Sequence, residues 1–397
     1  MNTTMMKTQT IEIKDAEQRK ALNKWFNNAC IGSIIAGTGF GKSRCGVLAV
    51  NYALKDSSKQ AIVLVPTTQL QDQFEQEFIK WGYEHLLDRI DIVCYQSAHK
   101  IYGNDYSIVV CDEVHLGLSP VYREFFTKNT YDKLLCMTAT LPEEAEYRTL
   151  LSELAPTAYT ITLDQCVNLG LVAPYDIICI PVEMTEEEQA EYKKANNLFV
   201  QMKYKLGGFD AFDEANAILK YGKPGDKGAA KMFFNAIRER KRVVQHAENK
   251  LDAAKEIADY HIEEKILTFS GSNKFTNLMT ERLGASAYHS GKTKVQRKKI
   301  LEAFNKSTTS ILCSTKALNQ GFDVPDVGVG IIAGLESKQL SMIQRVGRLI
   351  RFKEGKRGRI YILYVPNSQE EKWLETATKT LNNVTKGESL QSILNHE

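Results

Sequence analysis

Residues 33–43 read Ser-Ile-Ile-Ala-Gly-Thr-Gly-Phe-Gly-Lys-Ser, a short apolar run that breaks into alternating glycines and ends on a lysine and a hydroxyl. The run Ser33–Ala36 predicts a strand, the glycines a turn, and Lys42 the start of a helix. Backbone N–H groups in such a turn face a polyphosphate, and the helix N-terminus adds a favourable dipole. Gly37, Thr38, Gly39 and Gly41 are then the cradle, Lys42 the partner of the β- and γ-phosphates, and Ser43 a hydroxyl for magnesium. The common form of the loop opens with glycine, whereas Ala36 stands here. Glycines serve ordinary turns equally well, so the reading needs a second signal.

That signal is Asp112-Glu113, delivered to a strand end by Ile108-Val-Val-Cys111. Adjacent acids after a strand are usually a solvated turn, but with Lys42 upstream they match the needs of phosphoryl transfer. Asp112 is the candidate magnesium ligand, directly or through water, and Glu113 the group that orients and deprotonates an attacking water. Thr138-Ala-Thr140 follows a further apolar run, Leu134–Met137. Gln18, about twenty residues ahead of the loop, is a candidate contact for adenine or simply a surface glutamine.

Working outward, Ser33–Ala36, Ala61–Val65, Asp91–Tyr95, Ser107–Cys111 and Leu134–Met137 alternate with helical patterns, which predicts a parallel sheet covered on both faces. Ligands of such sheets sit beyond the carboxyl ends of the strands. A second alternation runs through Lys265–Phe269, Ala285–Tyr288, Thr309–Cys313, Val329–Ile332 and Arg359–Val365. Between them the chain is rich in Glu, Lys, Ala and Gln, and one long amphipathic helix is predicted from about 229 to 262. The basic stretch Arg238–Arg242 is either a phosphate contact or a solvated helix face.

Of the 397 residues 43% are apolar, enough for two or three cores, and the net charge is +3. So mild a charge confines any nucleic-acid surface to a local groove. Eight cysteines without Cys-x-x-Cys spacing argue against zinc or an iron–sulfur cluster and suit a reducing setting. No apolar run has the length of a signal peptide or a membrane span. The expected setting is therefore the cytoplasm, of a prokaryotic cell or a phage-infected host, with no membrane partner.

In this order the segments resemble the superfamily 2 helicases over nearly the whole chain. Ala36–Ser43 is similar to Walker A, Asp112-Glu-Val-His115 to the Asp-Glu-x-His box, Thr138–Thr140 to motif III and Gln344-Arg-Val-Gly-Arg-Leu-Ile-Arg351 to motif VI. Val65–Leu70 resembles motif Ia, Tyr95-Gln-Ser97 the following DNA-contact segment, Leu267–Ser270 motif IV, and Ser314-Thr315 through Gly321–Pro325 motif V. Gln320 stands where many relatives carry an acid. The Asp-Glu-Val-His spelling and the junction Gly170–Tyr175 look closest to the XPB/Rad25-like and phage UvsW-like branch.

The resemblance implies an α/β fold of two RecA-like parallel-sheet domains with a helical insertion between them. The expected division is an N-terminal ATP-binding domain over 1–165, a junction and first strand of the second domain over 166–184, the insertion over 185–250 and a C-terminal helicase domain over 251–397. ATP and Mg2+ are the implied cofactors. Arg348 and Arg351 match arginine fingers, Arg345 holds that motif or touches phosphates indirectly, and Gln344 belongs with the catalytic set. Asp323 is assigned to the ribose or its water network, and His115, Thr138 and Thr140 to coupling.

Thr67, Thr68, Gln96, Ser97, Ser270, Ser314 and Thr315 are the implied nucleic-acid contacts, made to the backbone rather than to bases. Tyr288–Lys292 is either a backbone-contact loop or a strand-end turn. The expected activity is ATP-dependent movement along single-stranded, duplex or branched DNA by a monomer. An RNA-acting helicase is the nearest alternative. A nucleic-acid-binding ATPase switch is another, although Glu113, Arg348 and Arg351 are more than a switch requires.

Overall fold

The computed structural model describes residues 3–223, 225, 227–315, 327–336 and 357–394. The first sheet contains β1 (Ile31–Ala36), β2 (Gln60–Val65), β3 (Ile90–Cys94), β4 (Asp105–Cys111), β5 (Thr130–Tyr131), β6 (Leu134–Thr138) and β7 (Thr157–Ile161). Their order is β3-β2-β4-β6-β1-β7, with β5 beside β4. The second contains β8 (Tyr175–Pro181), β9 (Ile266–Phe269), β10 (Ser286–Tyr288), β11 (Ile311–Ser314), β12 (Val329–Ile332), β13 (Gly358–Tyr364) and β14 (Val384–Lys386), in the order β10-β11-β9-β12-β13-β8-β14.

The strand pairs are parallel in both sheets. Parallel strands need helical crossovers, which cover both faces and explain why the central strands are buried along nearly their whole length. β6 is buried at every residue and β4 at every residue but Asp105. The predicted strands are all present, with corrections at their ends: Tyr95 opens a short helix, Tyr95–Ala98, instead of closing β3, β11 begins at Ile311 rather than Thr309, and β13 ends at Tyr364, one residue before Val365.

A continuous apolar cluster runs through the first sheet and on to the second by way of Leu163, Cys166, Leu171, Val172 and Tyr175. Thr162 starts this junction with a reciprocal cap to Gln165, fixing the helix Leu163–Asn168.

Three helices form the insertion: Glu186–Lys205, Ala211–Tyr221 and Lys227–Gln245. Thr185 and Glu188 cap the first reciprocally. Met202, Ala215, Ala230 and Phe233 fill the space between the helices, and Phe199 stacks on Phe233.

The single helix predicted over 229–262 is corrected to two, Lys227–Gln245 and Asn249–Tyr260. Different partners grip the chain on either side of the break. The Gln245 amide donates to Leu335 O at 2.6 Å, the His246 ring stacks on Phe275 and lies 2.7 Å from Ser272 Oγ, and Glu248 N donates to Glu188 Oε1. Leu335 and Ser272 follow β12 and β9, so the insertion is rooted at the carboxyl edge of the second sheet. Beneath it the fully buried Lys250 ammonium meets the fully buried Glu370 carboxylate at 2.8 Å.

Candidate nucleotide site and nucleic-acid face

β1 ends at Ala36, the glycine turn follows, and the helix Lys42–Leu54 begins where the sequence places it. Gly39 and Gly41 take left-handed backbone angles, φ 90° and 89°, that side chains resist. Packing supplies a second reason for these two and a first for Gly37. A Cβ at Gly37 would lie 3.0 Å from Leu163 Cα, at Gly39 2.2 Å from Val172 Cγ1, and at Gly41 2.4 Å from Gln18 Nε2. The loop is thus pressed by the junction on one side and by the N-terminal helix Thr3–Asn27 on the other.

Lys42 Nζ donates to Ala36 O at 2.8 Å, folding back along the loop. The Thr38 hydroxyl oxygen is buried with no hydrogen-bond partner, a polar atom that a bound phosphate would satisfy.

β4 carries Asp112 to the same edge, 8% exposed, with its N–H donating to Leu64 O and its carbonyl accepting from the Tyr95 hydroxyl at 2.9 Å. Burial, then the neighbouring Glu113 charge, pushes the Asp112 carboxyl up to about 7, while the Lys42 charge opposes the rise. A desolvated carboxylate short of positive charge is chemically suited to a divalent cation. Magnesium at phosphate sites is held by one or two side chains together with phosphates and water. Ser43 and Asp112 fit that sparse set.

Glu113 adopts a left-handed conformation, φ 48° and ψ 54°, rare for a residue with a side chain. Its Oε2 accepts from the Thr138 hydroxyl at 3.4 Å and lies 3.6 Å from His115 Nδ1, which is 3.4 Å from Thr138 Oγ1. That hydroxyl also reaches Thr140 O at 3.0 Å. β4 pairs directly with β6, so the two motifs meet at adjacent strand ends. The structure therefore joins the acid, the histidine and both threonines in one polar cluster.

The surface alternative for Gln18 is corrected, since the side chain braces the glycine loop. It is 1% exposed, donates to Phe40 O at 2.7 Å and Gly41 O at 3.3 Å, and accepts from Arg44 Nη1 at 2.7 Å. Asp323, Gln344, Arg345, Arg348 and Arg351 lie outside the described residues.

Among the implied nucleic-acid contacts, Thr67 caps the helix Thr68–Lys80, and Thr68 opens it beyond the end of β2. Gln96 and Ser97 are exposed, with Gln96 bonded to Pro66 O at 3.2 Å. Two expectations are corrected. Ser270 is 1% exposed with its hydroxyl on Thr276 Oγ1, and Ser314 is fully buried with its hydroxyl donating to Thr315 O. Both hydroxyls serve strand-end turns, and Thr315 itself is only 7% exposed.

The basic stretch is also spent internally. Arg242 pairs with Glu191 and Glu239, and Arg240 covers the Phe199 ring. His289 is held by Asn277 and Gly291, the arrangement of a strand-end turn.

Two parallel α/β units with a phosphate loop and paired acids on the first define the class of nucleoside-triphosphate-driven motors. The chain is similar to the superfamily 2 helicases. Its residues 11–143 match the family described as type III restriction enzyme, res subunit, and residues 249–353 match the helicase conserved C-terminal domain.

The chain is similar to the DNA 3'-5' translocase XPB2 of Sulfurisphaera tokodaii, 24% identical over 87% of this chain and 80% of that protein. It is also similar to the DNA 3'-5' helicase XPB of Mycobacterium tuberculosis, 22% identical over 65% of this chain but only 40% of the relative. The fold matches S. cerevisiae Dbp5 bound to RNA and ADP BeF3, with a TM-score of 0.61 at 15% identity, covering 98% of this chain and 96% of that one.

Proposed function

We propose that the chain is an ATP-dependent DNA translocase of the XPB-like kind, coupling hydrolysis to movement along DNA and to unwinding or remodelling of duplex or branched substrates. One observation carries the reading most strongly: Glu113 is anchored through Thr138 and His115 beside a buried Asp112 that senses the Lys42 charge. A binding switch has no need of a carboxylate set beside a hydroxyl and an imidazole at a phosphate loop. The names of the similar translocases and helicases support DNA as the track and a 3'-5' direction.

ATP is the substrate, its phosphates in the Gly37–Gly41 turn with Lys42 on the β- and γ-oxygens. Ser43 and Asp112 would hold magnesium, which when bound would supply charge to neutralise the phosphate oxygens. Glu113 orients the attacking water and takes its proton, while Thr138 and His115 keep the carboxylate aimed. Arg348 and Arg351 serve as fingers from the second domain, a contribution of about 10³–10⁵ in rate. Thr67 and Thr68 hold the DNA backbone, so sequence preference is weak.

The test is ATP hydrolysis by the wild-type chain and Glu113→Gln, alone and with single-stranded, duplex, forked or four-way DNA, or RNA. DNA should stimulate the wild type, and the effect should fall as salt rises because phosphate contacts release counterions. Glu113→Gln should bind ATP normally and lose about 100-fold or more in turnover. Near-normal hydrolysis by that variant removes the catalytic assignment. Stimulation by RNA alone replaces the DNA reading with its nearest alternative.

A further inference from the structure

Arg44 lies two residues beyond Lys42 on the helix Lys42–Leu54, its side chain 20% exposed. Two segments distant in sequence converge on its guanidinium, the helix Thr3–Asn27 through Asp15 and Gln18, and Trp81. One terminal nitrogen meets Asp15 Oδ1 at 2.6 Å, the other donates to Gln18 Oε1 at 2.7 Å, and the Trp81 ring centroid lies 4.2 Å from the central carbon. A planar fork with an apolar face can make all three contacts at once; a lysine, a point charge on a flexible stem, cannot.

Two of these contacts lead to functional elements. Gln18, held at its oxygen by Arg44, turns its amide onto the Phe40 and Gly41 carbonyls of the glycine loop. Trp81 terminates the helix Thr68–Lys80, and its indole N–H is fixed on Glu77 at 2.8 Å. The other end of that helix is the Thr67 cap, about 20 Å away at the usual helical rise. Between the ends Phe74 fits against Gly46 of the nucleotide helix so closely that a Cβ there would lie 2.8 Å from the ring. The helix is therefore packed as a rod, with little slack in which to lose a displacement at one end.

We infer that Arg44 is a positioning residue that registers the helix Thr68–Lys80 against the glycine loop, so that a nucleic-acid phosphate seated at the Thr67 end is felt where ATP binds. The inference rests on the functional proposal above and names the path of its polynucleotide stimulation. It assigns Trp81 a role in that path although the indole has no contact with the glycine loop among those described.

The experiment measures ATP turnover and KM of the full chain with and without an oligothymidylate strand, for wild type, Trp81→Leu, Trp81→Phe and Arg44→Lys. Trp81 is 37% exposed, so its replacements should fold. Trp81→Leu should keep the basal rate and the KM for ATP within about twofold. Its stimulation ratio should fall about threefold or more, the worth of one partly exposed cation–π contact. Trp81→Phe, which restores an aromatic face, should recover the ratio. Arg44→Lys should lower the ratio and raise the KM for ATP as well, because Gln18 loses its donor.

A purely structural role would depress basal and stimulated rates together, and that result overturns the inference. So does an unchanged ratio in Trp81→Leu, or a failure of Phe to restore it. If no polynucleotide stimulates the wild type, the functional proposal falls and takes this one with it. A stimulated wild type with indifferent variants removes this inference alone.

Discussion

Replacing Gly39 with alanine tests whether the junction after the first sheet shapes the phosphate loop. The new Cβ would lie 2.2 Å from Val172 Cγ1, more than 1 Å inside ordinary contact, and the residue would keep a φ of 90°. Val172 is 1% exposed within the cluster that continues to the second sheet, so it has little room to retreat. Overpacking of this kind costs about 1–3 kcal/mol, and a left-handed alanine about 1–2 kcal/mol more. If the strain is relieved by moving the loop, ATP affinity falls by about 30-fold or more, since 1.4 kcal/mol is a factor of ten.

Val172→Ala removes the colliding methyl but leaves the backbone term. The double variant should therefore recover the overpacking share and stay about 5- to 30-fold weaker than wild type, from the left-handed strain alone. Titration with a fluorescent ATP analogue, alongside thermal melting, reads both quantities. Wild-type affinity and melting in Gly39→Ala would refute the reasoning, as would a double variant no better than the single one.

Glu370→Ala should cost about 3–5 kcal/mol in urea unfolding followed by tryptophan fluorescence, because it strands a fully buried ammonium. The pair Lys250→Met with Glu370→Met should regain much of that loss, though Val365 N–H, which donates to Glu370 at 2.8 Å, stays without its acceptor. His261, 5% exposed and 2.7 Å from the Tyr361 hydroxyl, has its pKa lowered by burial, and further by the Arg359 charge, from 6.5 to about 4. A depressed histidine contributes stability that is whole above pH 6.5 and is lost as pH falls toward 4, on the order of 2–3 kcal/mol. His261→Gln should flatten that part of the pH–stability curve, and an unchanged slope would contradict the assignment.

The first sheet and the edge that carries the candidate nucleotide site were legible because their signals are local. Val, Ile and Leu runs at β2, β4 and β6 must be buried on both faces, and the residues that follow them are forced to one edge. β7, Thr157-Ala-Tyr-Thr-Ile161, lies at the edge of its sheet and mixes polar with apolar residues without strict alternation, so its strand signal is weak. The break at His246 left no trace in the periodicity because alanines and charged residues on both sides are good helix formers; tertiary contacts to Phe275 and Leu335 make it.

Ser270 and Ser314 carry the right hydroxyls in the right motifs, yet sequence order does not say which way a strand-end side chain turns. The press of Leu163 and Val172 on the glycine loop was hidden for the same reason. It joins positions more than 120 residues apart, and its only local hint was an apolar junction, Gly170–Tyr175, already assigned to the link between domains.

The rooting of the insertion has a mechanical consequence. Its helix Lys227–Gln245 is about 28 Å long at the normal rise per residue. Gln245 and His246 bolt one end to the turns that follow β9 and β12. A rotation of about 10° at that fulcrum would carry the far end of such a helix through about 5 Å, close to one helical turn. A tilt of the second sheet too slight to disturb its own packing thus becomes a stroke at the distal end of the arm.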